Sequence, residues 1–191
     1  ASGMAAISGT LFGLCDSGDH IVSSNTVYGG TYALLHDFLP AKAGITTSLV
    51  EITDLAAVEA AIRPNTKVLY AESIANPTLR VANIPALAEL AHRHGLKLVI
   101  DNTFSPLVLS PKQLGADIVV HSLTKFIGGA SDHIAGAICA DKEFILRLMD
   151  LHELFGKIAA QAVLAVILAL VFVALTVWVG ENRGLFVFNT I

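Results

Sequence analysis

Basic charge is scarce and unclustered in this sequence: 12 lysines and arginines stand against 16 aspartates and glutamates, giving a formal net charge of −4 and a pI near 5.9. With no basic run to attract a phosphate backbone, nucleic acid is not an expected partner. Cysteine is scarcer still. Cys15 and Cys139 stand far apart in no CxxC or Cys/His spacing, which argues against a zinc site or a disulfide framework and fits free thiols in a reducing cytoplasm. Charged residues make up only 15% while hydrophobic ones reach 54%, and the mean hydropathy of +0.67 is too apolar for a disordered chain. At 191 residues the chain has room for one full domain and a remainder. Its first residues, ASGMAAISGTLFGL, carry no basic stretch and are not read as a signal peptide.

The apolar excess is concentrated near the end. From Ile158 to Val179 run 22 residues without a charge, with Gln161 and Thr176 as the polar members. A helix of that length spans about 33 Å, enough to cross a bilayer. A buried core helix usually stops at ~10 to 14 apolar residues and shows a polar stripe, which this segment lacks, so the sequence predicts membrane association through 158–179. Lys142, Arg147 and Lys157 precede the span and Arg183 follows it, so residues 1–157 are expected on the cytoplasmic side, with Trp178 near the far interface.

Before that segment, short apolar runs alternate with helical stretches. HIV (20–22), KVLYAES (67–73), KLVIDNT (97–103) and ADIVVHS (116–122) read as strands. DLAAVEAAI reads as a helix capped by Asp54 and stopped near Pro64, and IPALAELAHRH as a helix from Ile84 ended by Gly95. Strands and helices in alternation, the strands apolar without a polar face, predict an α/β domain with a mostly parallel sheet covered on both sides. No internal repeat is present.

In such a sheet ligands bind at the carboxyl ends of the strands, so the residues after each run are the candidates. After KVLYA come Glu72, Ser73, Asn76 and Pro77; after LVI come Asp101, Asn102 and Thr103; after IVV come His121, Ser122, Thr124 and Lys125. Singly, each reads as easily as a cap, a turn residue or a solvated lysine. Together they are harder to dismiss, because HSLTKFIGG sets Lys125 between a buried strand and glycines that permit close backbone approach, where a lysine can be desolvated and act as an amine nucleophile. Ser2, Gly3 and Met4 open an alanine-rich stretch that could start a helix, and its first N–H groups could hold a phosphate. A metal-dependent hydrolase built on His92, His94, His121 and His133 is disfavoured, since His92 and His94 would face different sides of one helix.

SGMAAI (2–7), YGGTY (28–32), ESIANPTLRV (72–81), VIDNTF (99–104) and HSLTKFIGG (121–129) together resemble the pyridoxal-phosphate enzymes of cysteine and methionine metabolism, from Ala1 to about His152. GASDHIAGAI (129–138) looks most like the sulfhydrylase and γ-lyase branches. The resemblance implies a fold-type I core with pyridoxal 5′-phosphate as cofactor, a small amino-acid substrate, a homo-oligomer, and γ-elimination or γ-replacement on sulfur or O-acylhomoserine-type amino acids. It implies Lys125 as the lysine forming the Schiff base, Asp101 as partner of the pyridine nitrogen, and Tyr28 as a ring stacked on the cofactor near the leaving group. Asn76 is implied at the ring oxygen. The N–H groups of Gly3 and Met4 and the hydroxyls of Ser122 and Thr124 are implied at the phosphate, with Thr103 packing behind the ring.

Family members are considerably longer. Their N-terminal segment lends a tyrosine and an arginine to a neighbouring subunit, and their C-terminal domain lends an arginine for the substrate carboxylate. The sequence is therefore expected to divide into a partial cofactor-binding domain, 1–153, and a membrane-like apolar tail, 154–191. The competing expectation is an inactive membrane-tethered fragment that keeps the cofactor-binding core without competent substrate binding.

Overall fold

The computed structural model describes residues 2–130 and 132–183. It divides into two compact units, Ala1–Leu148 and Met149–Ile191.

The first unit is an α/β layer structure around a six-stranded sheet. Helix α1 (Gly3–Leu14) leads into β1 (His20–Ser24), α2 (Gly29–Ala33) and a π-helical stretch, Leu34–Ala43. Then follow β2 (Thr46–Val50), α3 (Leu55–Ala60), β3 (Thr66–Glu72), α4 (Ile84–Arg93), β4 (Lys97–Asp101), β5 (Ile118–Ser122) and β6 (Gly136–Cys139). The spatial order is β2-β1-β3-β4-β5-β6; the first five strands run parallel and β6 pairs antiparallel with β5. The chain thus leaves β1 for one edge and returns on the other side of it to form β3. That is a topological switch point, where parallel sheets open a crevice at their carboxyl ends.

The helices begin and end where local chemistry dictates. Ser2 caps α1 by accepting the Ala5 N–H, Asp54 accepts the Ala56 and Ala57 N–H groups at the start of α3, and Asn83 accepts the Ala86 N–H at the start of α4. Both faces of the sheet are buried. Leu69, Leu98, Ile100 and Val119 pack with Val58, Ile84 and Leu87 on the side of α3 and α4. Val68, Tyr70, Val99, Ile118 and Val120 pack with Ile7, Leu11, Leu35, Leu39 and Phe144 on the side of α1. Side chains alternate along a strand, so Glu72, Asp101 and Ser122 continue the rows of Tyr70, Val99 and Val120 and fall on the α1 face. The sheet order and this parity together place the three beside one another.

Helix α5 runs continuously over Lys142–Arg183. Its window Gln161–Trp178 has a mean hydropathy of 2.5, and none of it is buried. The apolar tail's last residues, 184–191, lie outside the described residues, as do the side chains of 158–160 and 179 at the ends of the expected span.

Candidate functional site

At the carboxyl ends of the strands, on the α1 face, lies a cavity of about 500 Å³. Every site residue expected from the sequence lines it: Gly3, Met4, Tyr28, Asn76, Asp101, Thr103, Ser122, Thr124 and Lys125. Residues from five separate segments thus converge on one space. Glu72 and Phe104 also line it, with Ile7, Ile74, Phe126 and Ile134 as apolar wall.

At the end of β4, Asp101 is 9% exposed. Burial pushes its carboxyl above the ordinary range, and hydrogen bonds from Thr103 oppose that push. The Thr103 N–H and hydroxyl donate to the same oxygen, Oδ1, at 2.9 and 2.6 Å. Thr103 Oγ1 in turn accepts the Ser122 N–H at 2.8 Å. Thr103 thus links the carboxylate of β4 to the end of β5. Among the described residues, no lysine or arginine forms an ion pair with Asp101. Burial, with the nearby Asp101 and Glu72 carboxylates adding to it, pushes the Tyr70 phenol well above its ordinary range, and its buried hydroxyl has no well-formed hydrogen bond.

Helix α1 brings its N-terminus to the end of β5. A Cβ on Gly3 would stand 2.5 Å from Ser122 Cβ and 2.8 Å from Ser122 Oγ, so only glycine allows this approach. The first N–H groups of a helix have no intrahelical acceptor, so those of Gly3 and Met4 are available beside the Ser122 hydroxyl. Thr124 is differently occupied. Its hydroxyl accepts the Ala135 N–H at 3.0 Å and donates to the Ala135 carbonyl at 3.3 Å, tying down the loop before β6.

Lys125 sits in the short π-helical turn Leu123–Ile127, with a non-helical backbone at φ −92° and ψ −115°. Its side chain reaches the cavity but is exposed, which departs from the desolvated lysine expected after a buried strand; the turn carries it past the strand end to the rim. Tyr28, after β1, is half exposed. A Cβ on Gly30 would lie 2.7 Å from its ring, so the absence of a side chain at Gly30 lets Tyr28 lie as it does. Of the histidines considered as metal ligands, His92 pairs with Asp117 and His94 with Glu59, two separate surface contacts.

The sequence placed Glu72 among the residues after a strand without a role for it. Burial pushes its carboxyl up to about 7. Its Oε1 accepts the Tyr28 N–H at 2.7 Å and its Oε2 the Asn76 N–H at 2.8 Å. The only sequence signal for this was an acid at the end of an otherwise apolar strand.

Compared with known proteins, residues 1–169 match the family model for the Cys/Met metabolism PLP-dependent enzymes, a match that reaches into the apolar segment. The chain is 55% identical over 153 residues to methionine gamma-lyase of Arabidopsis thaliana, covering 80% of this chain and 35% of that protein. It is 41% identical over 161 residues to L-methionine gamma-lyase of Pseudomonas putida, covering 83% of this chain and 40% of that one. Among solved structures, cystathionine gamma-lyase of Lactobacillus plantarum, complexed with L-serine, superposes with a TM-score of 0.76 at 46% identity, over 82% of this chain and 41% of that one. An O-acetylhomoserine (thiol)-lyase of Campylobacter jejuni, described as putative and solved with a pyridoxyl-lysine monophosphate, superposes with a TM-score of 0.72 at 37% identity, over 75% of this chain and 35% of that one. The chain therefore spans well under half the length of these relatives.

Proposed function

The chain belongs to the Cys/Met metabolism PLP-dependent enzymes, and from that premise we propose that residues 1–153 are the cofactor-binding part of an enzyme of γ-elimination or γ-replacement on sulfur or O-acylhomoserine-type amino acids. The observation that carries the reading is the convergence of a buried carboxyl, a helix N-terminus and a lysine on one cavity.

The residues fit the cofactor. A phosphorylated pyridine offers an anion at one end and a protonated ring nitrogen at the other, and the cavity offers the complement of each. Asp101 is a buried carboxyl that no lysine or arginine pairs with among the described residues, so a ring N–H⁺ would satisfy it and draw its pKa back down. The Gly3 and Met4 N–H groups and the Ser122 hydroxyl would receive the phosphate. Once bound, the cofactor supplies an electron sink for a carbanion at the substrate Cα.

The chain's own groups would do the rest. Lys125 would hold the cofactor through its ε-amine and then carry the Cα proton. Asp101, oriented by Thr103, would keep the ring nitrogen protonated. Tyr28 would cover the ring and place a phenol toward the leaving group, while Asn76 would donate to the ring oxygen. Thr124 could reach the phosphate only by giving up its donation to Ala135, so Ser122 is the stronger hydroxyl candidate there. The direct test is addition of pyridoxal 5′-phosphate to the whole chain. A yellow absorbance should develop in the native protein and be absent in Lys125→Ala; an equal band in both would refute Lys125 as the anchoring amine.

We further propose that Ile158–Val179 associates with a membrane, with residues 1–157 on the cytoplasmic side, on the support of the apolar and unburied window Gln161–Trp178.

A further inference from the structure

Glu72 ends β3 in register with Asp101 of β4, so two acids stand side by side at the floor of the cavity. They are built differently. Asp101 takes both Thr103 bonds on one oxygen, whereas Glu72 spends one oxygen on each of two loops. Tyr28 lies on the loop between β1 and α2, and Asn76 lies in the loop after β3, four residues beyond the acid itself. The Tyr28 ring is half exposed, so packing does little to fix it, and its backbone bond to Glu72 carries more of that task.

Burying a carboxylate beside another acid is unfavourable, and the two N–H bonds are what oppose it here. An acid whose two oxygens both face N–H donors is shaped to accept, which suits it to holding backbone rather than to moving protons. No other side chain does the same. Glutamine would turn its NH₂ toward one of the two donors, and aspartate is one methylene too short to span both.

We propose that Glu72 is a positioning residue: its carboxylate clamps the backbones of Tyr28 and Asn76 and so sets the slot between the two side chains that would grip the cofactor ring. The clamp itself is a property of the chain, and its consequence for cofactor affinity rests on the reading given above.

The test uses the full chain as wild type, Glu72→Gln, Glu72→Asp, Tyr28→Ala and the Glu72→Gln/Tyr28→Ala double variant. Amide hydrogen exchange at residues 28 and 76 is measured without cofactor, and pyridoxal 5′-phosphate affinity is measured per folded molecule. At pH 8, where the Glu72 carboxyl is ionised, Glu72→Gln should speed exchange at one of the two amides and weaken affinity about tenfold, the scale of one lost bond to an ionised acceptor. In the Tyr28→Ala background the same change should weaken affinity by no more than about threefold, because one of the clamped side chains is gone. Unchanged exchange at both amides overturns the clamp, and so does an equal affinity loss in both backgrounds, which would mark a general structural role. Should Glu72→Gln not fold, Glu72→Asp is judged by the same two criteria. A wild-type chain that takes up no cofactor refutes the reading above, and the exchange measurement still decides the clamp.

Discussion

Replacing Thr103 by valine removes a hydroxyl while keeping the β-branching of the side chain, so the loss at the end of β4 falls on its hydrogen bonds. Two hydrogen bonds go with it: the 2.6 Å donation to Asp101 Oδ1 and the 2.8 Å acceptance from the Ser122 N–H. The first is a bond to an ionisable acceptor and is worth ~1.5 to 3 kcal/mol, while stranding the second donor costs ~1 to 3 kcal/mol. Ser122 is only half-buried, so water recovers part of that second loss, and the sum is about 2 to 4 kcal/mol. This is a large share of the ~5 to 15 kcal/mol that holds an ordinary domain together. The backbone N–H of Thr103 keeps its own 2.9 Å bond to Oδ1, so Asp101 should stay in place but titrate higher, because one of the bonds that holds its pKa down is gone. Urea unfolding, with an unchanged slope against denaturant, reads the stability loss. A cycle with Asp101→Asn should show coupling of ~0.5 to 3 kcal/mol between the two positions. A Thr103→Val chain within about 0.5 kcal/mol of wild type, the ordinary effect of a surface change, would refute the link from β4 to β5.

Other consequences are checked more simply. Gly3→Ala should force α1 away from Ser122 and weaken pyridoxal 5′-phosphate binding about tenfold or more, as overpacking by ~1 to 3 kcal/mol would do, whereas Gly9→Ala, whose added Cβ would meet nothing within 4 Å, should not weaken it. Glu72 has its pKa raised from 4.5 to about 7 in the folded chain, so the stability it contributes is fully present below 4.5 and is lost as pH rises through 7. Without cofactor, unfolding at pH 5 and pH 8 should therefore show wild type losing about 3 kcal/mol relative to Glu72→Gln across that interval, and a difference that stays flat contradicts the burial argument. The whole chain should fractionate with membranes and resist extraction at high pH or high salt; a monodisperse preparation without detergent would instead make 158–179 a packed helix.

Much of the sheet was legible because its central strands are apolar on both faces: β1, β3, β4 and β5 fall on the four runs read from the sequence. The edges were not legible. TTSLV in β2 is half polar and only partly buried, and GAIC in β6 is short and carries no alternation, so neither announces a strand. The π-helical stretch Leu34–Ala43, which holds Pro40 within it, has no signal in helical periodicity. The site residues after β3, β4 and β5 were legible for a topological reason, since parallel strands deliver the residues after them to one edge, whereas Gly3 and Met4 were read from a helix start and Tyr28 from the family resemblance. Their hydrogen-bond partners were not. The Glu72 bond to Tyr28 joins positions 44 apart, and the Ser122 bond to Thr103 joins positions 19 apart, so both exist only once the sheet order is set. Lys125 shows the limit from the other side: strand burial predicted a desolvated amine, and the turn after β5 leaves it exposed at the rim.

Lys125 is proposed to hold the cofactor in this cavity. Incubation of the full chain with pyridoxal 5′-phosphate, borohydride reduction and peptide mapping would place a stable pyridoxyl group on the peptide containing His121–Lys125, at Lys125 itself. A label on another lysine, or none on protein shown to be folded, would contradict it.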